Sequence, residues 1–151
     1  MLRARLKDAL KSSMKKRDEL CVNTLRLILA ALKDRDIAAR SKGRSEEIGD
    51  DEILGLLQSM IRQRRESIEQ YEKGGRQKLA RQEAEEIAII EQFMPVQLEA
   101  EEMVQAIDAV LEEVGAKTLK DMGPAMAALK EKYAGRMDFA KASAQVKERL
   151  G

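Results

Sequence analysis

The fold is decided by residues 74–98, which read GGRQKLARQEAEEIAIIEQFMPVQL. The Gly74-Gly75 pair ends the preceding helix, because glycine adopts the left-handed conformation of a helix stop without steric cost. Pro95 ends the next helix, since proline lacks the N–H donor and disfavours helical geometry in the residue before it. Between these breaks, the spacing predicts one helix with a face formed by Leu79, Glu83, Ile87, Ile90 and Met94. We interpret this helix as the connector between two helical parts.

The composition of the 151-residue chain favours an all-α fold. Charged residues make up 36% and the hydrophobic set 44%, whereas aromatic residues make up only 3%. This mixture is typical of helical proteins, and it offers few β-branched or aromatic runs from which a sheet could form. We predict an N-terminal helical domain, a hairpin or bundle over residues 1–95, and a small C-terminal three-helix domain over residues 96–151.

Apolar periodicity and end signals place the other helices. They are predicted to cover about residues 2–16, 18–40, 50–73, 99–114, 118–121, 124–134 and 138–150. Asp18 and Asp138 are expected to cap their helices, either Asp50 or Asp51 to cap the third, and Thr118 to form a capping box with Asp121. The apolar stripe of the first helix is predicted to contain Leu2, Leu6, Ala9, Leu10 and Met14.

Positive charge is concentrated at the N-terminus, although the whole chain carries a net charge of only +1. Residues 1–42 contain 12 Lys and Arg against 5 Asp and Glu, a net charge of +7. Residues 96–151 contain 8 against 10, a net charge of −2. The basic segment favours an anionic partner such as nucleic acid. The alternative is that these side chains only solvate a helical face.

A second basic cluster lies midway along the third predicted helix, at Arg62, Arg64 and Arg65. Acidic residues follow at helical spacing, namely Glu66, Glu69 and Glu72. Side chains three or four residues apart on a helix are neighbours, so ion pairing within this helix is the expected role of the cluster.

The residue types of most catalytic sites are missing or isolated. The chain has no His, and Cys21 is its only cysteine, which excludes a Cys–His pair and an internal disulfide. No phosphate-binding G-x-x-x-x-G-K-[ST] loop and no G-x-G-x-x-G motif is present. Adjacent carboxylates such as Glu85-Glu86 point to different faces of a helix, so we interpret them as solvating or capping residues. We predict no catalytic residue, no cofactor and no metal site.

The sequence also lacks the signals of membrane insertion or secretion. No run approaches the ~18 apolar residues of a membrane span, and no apolar segment opens the chain. A single cysteine fits a reducing compartment. We therefore expect a cytoplasmic protein with no membrane partner. The alternative is a transit peptide at the amphipathic start, against which Asp8 and the continuing helix argue.

The string Lys120-Asp121-Met122-Gly123 is the most unusual one in the C-terminal part. It places a lysine just before Gly123-Pro124, where a helix N-terminus would offer free N–H groups to a phosphate. The alternative is a structural helix break. Aromatic residues that could stack on bases all lie on predicted core faces: Tyr71, Phe93, Tyr133 and Phe139. Any RNA contact is therefore expected to involve the backbone and shape of the RNA.

Short strings along nearly the whole chain match one known family in order and spacing. In the connector they are Gly75-Arg76, Leu79-Ala80, Glu83, Glu86-Ile87, Ile90 and residues 94–98. Elsewhere they are residues 11–15, 24–28, 50–54, 62–68, 70–71, 120–123, 126, 135–136 and the helix 138–150. Together they resemble the YqeY family, small stand-alone relatives of the tail of the B subunit of the tRNA-dependent amidotransferase.

The resemblance implies an all-helical protein whose C-terminal domain is similar to that tail, a tRNA-contacting module. The whole amidotransferase converts Glu-tRNA(Gln) or Asp-tRNA(Asn) to the amidated form. The activity implied at family level is thus a carbon–nitrogen ligase with glutamine as amido-N-donor. This chain lacks the Ser-Ser-Lys arrangement of the amidase and the ATP-binding cradle of the full enzyme. We therefore expect a non-catalytic tRNA-binding or accessory module.

The implied partners are tRNA and subunits of the amidotransferase or of an aminoacyl-tRNA synthetase. Positive charge and the matched strings give the candidate nucleic-acid-binding residues Lys11, Lys15, Arg26, Lys120, Lys130, Arg136 and Lys141. The alternative function is a helical protein-interaction scaffold with no RNA partner. A free-standing enzyme ranks below both, because no catalytic constellation can be named. The sequence leaves the oligomeric state open.

Overall fold

The computed structural model describes the whole chain, Met1–Gly151, and confirms the all-α fold class. Its helices are α1 Leu2–Lys16, α2 Glu19–Ser41, α3 Asp50–Lys73, α4 Gln77–Glu91, α5 Ala100–Val114, α6 Met122–Lys132 and α7 Phe139–Leu150. A 3₁₀ turn, Leu119–Asp121, precedes α6, and there is no β-strand. The chain forms two compact units, Met1–Met94 and Pro95–Gly151, here called the N-terminal and C-terminal units. No helix is long and apolar enough to span a bilayer.

The N-terminal unit packs α1–α4 around one apolar core. Side chains from all four helices are fully buried in it, including Leu6, Leu25, Ile28, Leu57 and Ile90. Each helix carries an apolar stripe at helical spacing. A helix of this kind is not stable alone, because most of its stability comes from packing this stripe against a neighbour. Burial of each such side chain is worth about 1.5–3 kcal/mol, so the core determines how the four helices associate.

Helices α1 and α2 form a tight hairpin. Arg17 ends α1 in the left-handed conformation (φ 55°), and Asp18 caps α2 by accepting a hydrogen bond from the Cys21 N–H at 3.2 Å. The expected cap is thus confirmed. The expected burial of Met14 is wrong, because this side chain is exposed, and Ser13 is buried instead and donates to Cys21 Sγ at 3.0 Å. A hydroxyl with a partner is satisfied in this position, which the apolar pattern alone does not predict.

Helix α3 begins with Gly49 as its N-cap residue, so the expected cap at Asp50 or Asp51 is wrong. Asp50 Oδ1 instead accepts the N–H of Leu2 at 3.3 Å, which ties the start of α1 to the start of α3. Three acids in the first turn of α3 complement the positive end of the helix dipole.

Helix α4 confirms the helix predicted between Gly75 and Pro95, but it packs on α2 and α3 within the N-terminal unit, so its interpretation as a connector is not confirmed. It begins at Gln77 after Gly75, which has the expected left-handed conformation (φ 73°). The expected burial of Ile87 and Ile90 is confirmed, but Ala80 completes the buried face in place of Leu79, which lies at its edge and is 37% exposed. The α-helical geometry ends at Glu91, and i→i−3 hydrogen bonds of 3.0–3.3 Å continue the turn to Met94.

The C-terminal unit packs α5, α6 and α7 around Ile107, Val110, Ala125, Leu129 and Val146. Gly115 is left-handed and Thr118 forms the predicted capping box with Asp121. A second capping box, which was not predicted, joins Glu99 and Glu102 at the start of α5. Asp138 accepts hydrogen bonds from the N–H groups of Ala140 and Lys141, as expected of a cap. Helix α6 begins at Met122, so Pro124 lies inside its first turn, where no donor is needed.

Candidate nucleic-acid interface

The exposed face of α1 carries a row of lysines. Lys7, Lys11 and Lys15 follow one another at four-residue spacing, so they lie about 6 Å apart along the axis on one face. The core residues Leu2 and Leu6 lie on the opposite face. The amphipathic pattern of α1 therefore directs two of the predicted site residues, Lys11 and Lys15, toward solvent.

Most of the basic side chains of the α1–α2 hairpin have no acidic partner. Of the 12 Lys and Arg in residues 1–42, only Arg3 forms an ion pair with a side-chain carboxylate. Arg5 lies over the ring of Phe93, 5.6 Å from its centroid, and donates to the Gln92 carbonyl. Arg26, the third site residue predicted in this unit, is exposed on α2 and unpaired. The hairpin thus presents positive charge that its own carboxylates leave uncompensated.

Asp36 pairs with Arg3 inside the N-terminal unit, so its negative charge is absent from the basic surface. The same carboxylate holds the loop between α2 and α3 through Ile48. Arg3 Nη1 donates to Asp36 Oδ2 at 2.8 Å and Nη2 to Oδ1 at 3.1 Å, in a two-bonded geometry. The N–H of Ile48 also donates to Asp36 Oδ1, while Arg3 Nη2 donates to the Ile48 carbonyl, each at 3.1 Å. The hydrogen bond from Arg3 holds the pKa of Asp36 below its usual value, with a smaller contribution from Ile48.

The sequence reasoning missed this network, although a signal for it exists. Asp36 continues the core spacing of α2, which runs through Leu25, Ile28, Leu32 and Ala39. A carboxylate at a core position is stable only with partners, because an unpaired buried charge is costly. An acid in an apolar stripe therefore predicts a buried cation from elsewhere in the chain.

The predicted residues of the C-terminal unit do not share one environment. Lys120, Lys130 and Lys141 are exposed and form no ion pair. Arg136 is partly buried, and its Nε donates to the Val96 carbonyl at 3.0 Å, while its own carbonyl accepts from the Leu98 N–H at 2.8 Å. Arg136 therefore helps to hold the start of this unit, and only the rest of its guanidinium is available to a ligand.

Acids of the C-terminal unit form ion pairs with two of its other basic residues. Lys132 bonds to Glu113, and Arg149 Nε lies 2.7 Å from Asp108 Oδ1. Asp121 Oδ2 accepts the N–H groups of Lys117 and Thr118 at 2.8 and 3.1 Å, which lowers the pKa of Asp121. With 10 acidic against 8 basic residues after position 95, this unit holds less free positive charge than the hairpin.

Two members of the cluster, Arg64 and Arg65, form ion pairs, but the expected partners on α3 are wrong, and Arg62 only donates to Ser59 Oγ at 3.4 Å. Arg64 Nε lies 3.0 Å from Glu86 Oε2 and 3.9 Å from Glu83 Oε2, both on α4. Arg65 pairs with Glu91 of α4 at 3.6 Å. These pairs form because Arg64 faces α4, whereas the acids expected on α3, Glu66, Glu69 and Glu72, are exposed. Residues 64, 83 and 86, which belong to the segments that match the family, thus join α3 to α4.

Glu83 is the unfavourable member of this group. Burial raises its pKa, and the nearby charge of Glu86 raises it further, while Arg64 offsets only part of the effect. We expect Glu83→Gln to increase the free energy of unfolding at neutral pH. A carboxyl with a raised pKa destabilises the fold above that pKa, and this penalty disappears as the pH falls below the usual value of 4.5.

Urea unfolding of wild type and Glu83→Gln between pH 7 and pH 4 measures this difference. The advantage of the variant should shrink as the pH falls. Glu85→Gln is the control, because Glu85 is exposed on the same helix and forms no ion pair. A destabilised Glu83→Gln protein at pH 7 would show that the attraction to Arg64 outweighs burial and repulsion.

Comparison with known proteins finds one matching family and several related sequences. The family model described as "Yqey-like protein" matches residues 3–150. A relative named "Altered inheritance of mitochondria protein 41, mitochondrial" from Eremothecium gossypii is 34% identical over 114 residues, covering 74% of this chain and 60% of the relative. The protein of the same name from Lachancea thermotolerans is 35% identical over 101 residues, covering 65% and 52%. The chain thus spans little more than half the length of these curated relatives.

The names of the relatives concern location, whereas the family match concerns the whole chain. Both relatives are called mitochondrial, so the cytoplasmic location expected for this chain stays a prediction. The family match covers nearly every described residue, including α1 through α7. The chain therefore belongs to the YqeY family.

Proposed function

We propose that this protein is a tRNA-binding accessory module, related to the tail of the tRNA-dependent amidotransferase B subunit, and that the α1–α2 hairpin contacts the RNA backbone. One observation carries the proposal: 11 of the 12 basic residues in positions 1–42 pair with no side-chain carboxylate. A surface that neutralises RNA phosphates gains affinity from the release of counterions. The resemblance of the C-terminal unit to the amidotransferase tail supports tRNA as the RNA, whereas the larger free positive charge of the hairpin favours the N-terminal unit as the principal contact.

The proposed mode of binding is recognition of phosphates and shape. Phe93 is buried in the N-terminal core, and Tyr133 and Phe139 pack against the core of the C-terminal unit. Base stacking needs exposed aromatic faces, so these rings contribute little to it. Lysines and arginines on helices contact the RNA backbone without reading the sequence, and a partner would supply the choice of tRNA.

In this proposal the protein holds tRNA for other subunits. The glutamine-dependent carbon–nitrogen ligase activity implied by the resemblance would be carried by an amidotransferase or an aminoacyl-tRNA synthetase partner. Lys11, Lys15 and Arg26 form the proposed principal contacts. Lys120, Lys130 and Lys141 form a weaker second set, and Arg136 contributes through the part of its guanidinium that does not hold Val96.

Fluorescence anisotropy of labelled total tRNA, titrated with the protein over a salt series, tests the proposal. We expect binding at low salt. The logarithm of the observed association constant should fall linearly with the logarithm of the salt concentration. A slope of about −2.7 to −5.4 would correspond to roughly three to six phosphate contacts. Absence of binding at low salt would overturn the proposal and leave the interaction scaffold as the better reading.

The scaffold without an RNA partner is favoured by a different observation. Leu27 and Ile37 are large apolar side chains on α2 that stay 52% and 49% exposed. The ratio of absorbance at 260 and 280 nm of the purified protein separates the two functions. Bound tRNA raises this ratio, and nuclease treatment returns it to the value of protein alone.

A further inference from the structure

The outward face of α2 has a regular pattern that the core does not use. Exposed residues recur along it at alternating spacings of four and three: Asn23, Leu27, Ala30, Asp34, Ile37 and Ser41. This spacing is the heptad pattern by which one helix packs along another. It extends over most of α2, which runs from Glu19 to Ser41. We call this row of residues the α2 seam.

The seam is separate from the face of α2 that packs in the N-terminal unit. Helices α1, α3 and α4 pack on α2, whose side chains Leu25, Ile28 and Leu32 are buried in that core. Leu27 and Ile37 remain half exposed on the seam. Between them Ala30 is a small residue, which leaves room for a larger side chain of a partner helix.

One edge of the seam is uniformly basic. Arg26, Lys33 and Arg40 each precede a seam residue and recur every seven residues along α2. All three are exposed, and none forms an ion pair with a carboxylate of this chain. In helix pairs, charges at these flanking positions select the partner and its orientation.

This charge pattern argues against a second copy of the chain as the partner. An antiparallel pair of α2 seams would place the basic edges against each other, and like charges disfavour such pairing. In a parallel pair, each basic edge would face Ala31 and Ala38 of the other copy, which carry no charge to attract it. Asp34 in the middle of the seam disfavours burial of this face in the apolar part of a membrane, and it requires a polar residue at the facing position of a partner helix.

We infer that the α2 seam is a docking site for an amphipathic helix of another protein, with apolar residues along its centre and Asp or Glu along its edges. The apolar residues of that helix pack on Leu27, Ala30 and Ile37. Its carboxylates pair with Arg26, Lys33 and Arg40. The inference concerns a protein contact that shares Arg26 with the proposed RNA surface, and it does not depend on RNA binding by the lysines of α1.

Two synthetic peptides of three heptads each test this surface. Both carry Asn at the seam position that faces Asp34 and Leu at the other seam positions, one with Glu at all flanking positions and the other with Lys there. Titration of the full-length protein into each labelled peptide gives the two affinities. We expect the Glu peptide to bind at least about tenfold more tightly than the Lys peptide, with a preference that declines at high salt.

Substitutions on the seam distinguish docking from attraction by net charge alone. Leu27→Ser and Ile37→Ser together leave every charge in place and should weaken the Glu peptide about tenfold or more. Leu79→Ser is the control, because Leu79 is a partly exposed apolar residue on α4. Circular dichroism and thermal unfolding check that each variant is folded.

Three results would overturn the inference. They are equal affinity for the two peptides, unchanged affinity after the double substitution, or no binding of the Glu peptide at low salt. A double substitution that weakens tRNA binding and leaves the peptide unaffected would assign the seam to RNA instead. The tRNA titration is a separate measurement, so failure of the RNA proposal leaves this test intact.

Discussion

Replacement of Asp36 by alanine should lower the free energy of unfolding by about 3 kcal/mol, the low end of the cost of removing one partner of a buried ion pair, because Arg3 keeps Glu47 as a second carboxylate at 3.1 Å. The substitution leaves the guanidinium of Arg3 partly buried and without its two-bonded acceptor. It also leaves the Ile48 N–H without its hydrogen bond. Because Asp36 joins α1, α2 and the loop before α3, we expect global destabilisation of the N-terminal unit.

Urea unfolding followed by circular dichroism measures this effect. Asp34→Ala is the matched control, since Asp34 is two residues away on the same helix, exposed and free of ion pairs. The contribution of Asp36 is complete above its usual pKa of 3.8, since its folded pKa is lower, and it is lost as the pH falls through the folded pKa. In strong acid, the free energies of unfolding of wild type and of Asp36→Ala should therefore become similar. Equal effects at positions 34 and 36 would contradict the structural role of the network.

Reversal of charge on the hairpin is expected to have the largest effect on tRNA affinity. The variant Lys11→Glu, Lys15→Glu, Arg26→Glu removes three proposed phosphate contacts and adds three repulsive charges. We expect binding at low salt to fall by about two orders of magnitude and the salt slope to become shallower by about 2.7. The same anisotropy titration measures both quantities.

A second variant in the C-terminal unit matches this change in net charge. Lys120→Glu, Lys130→Glu, Lys141→Glu alters three exposed residues without touching an ion pair. Arg136 is left out because its substitution would release the Val96 carbonyl as well as remove a charge. A larger loss for the second variant would move the principal contact to the C-terminal unit. Equal losses would mean that tRNA responds only to total charge.

Local signals explain why the helix ends were predictable from sequence. Asp18 and Asp138 cap helices within three residues of their own positions, and Gly75 and Gly115 stop helices through their own backbone geometry. Such features depend on neighbours in sequence, so they survive whatever the tertiary packing is. The cap expected at Asp50 failed for the opposite reason, since its carboxylate is taken by the Leu2 N–H, 48 residues away.

Contacts between distant residues account for the rest of the differences. Arg64 could be assigned an ion pair from sequence, but the choice between acids on α3 and on α4 depends on how the two helices are rotated. The same rotation buries Ala80 in place of Leu79. Periodicity gives the existence of an apolar face, whereas its position to within one residue is settled by packing.

The candidate surface was only partly accessible to sequence reasoning. The net charge of residues 1–42 identifies a basic segment, but only the structure distinguishes Arg3, which is held by Asp36, from Lys11 and Lys15, which are free. Arg136 illustrates the converse, because part of its guanidinium is occupied by a backbone carbonyl. The heptad spacing of α2 is visible in the sequence, but only the structure shows that it lies on the exposed face, because the opposite face is buried in the core.

The two-residue turn between α1 and α2 has a consequence for synthesis of the protein. Arg17 and Asp18 bring the two helices together through contacts that are close in sequence, so the hairpin can pair soon after residue 41 leaves the ribosome. The apolar face of α2, however, also packs on α3 and α4, which are synthesised later. The nascent chain therefore passes through a stage in which a basic hairpin exposes its apolar side, and the charges on its outer face help to keep that intermediate from aggregating.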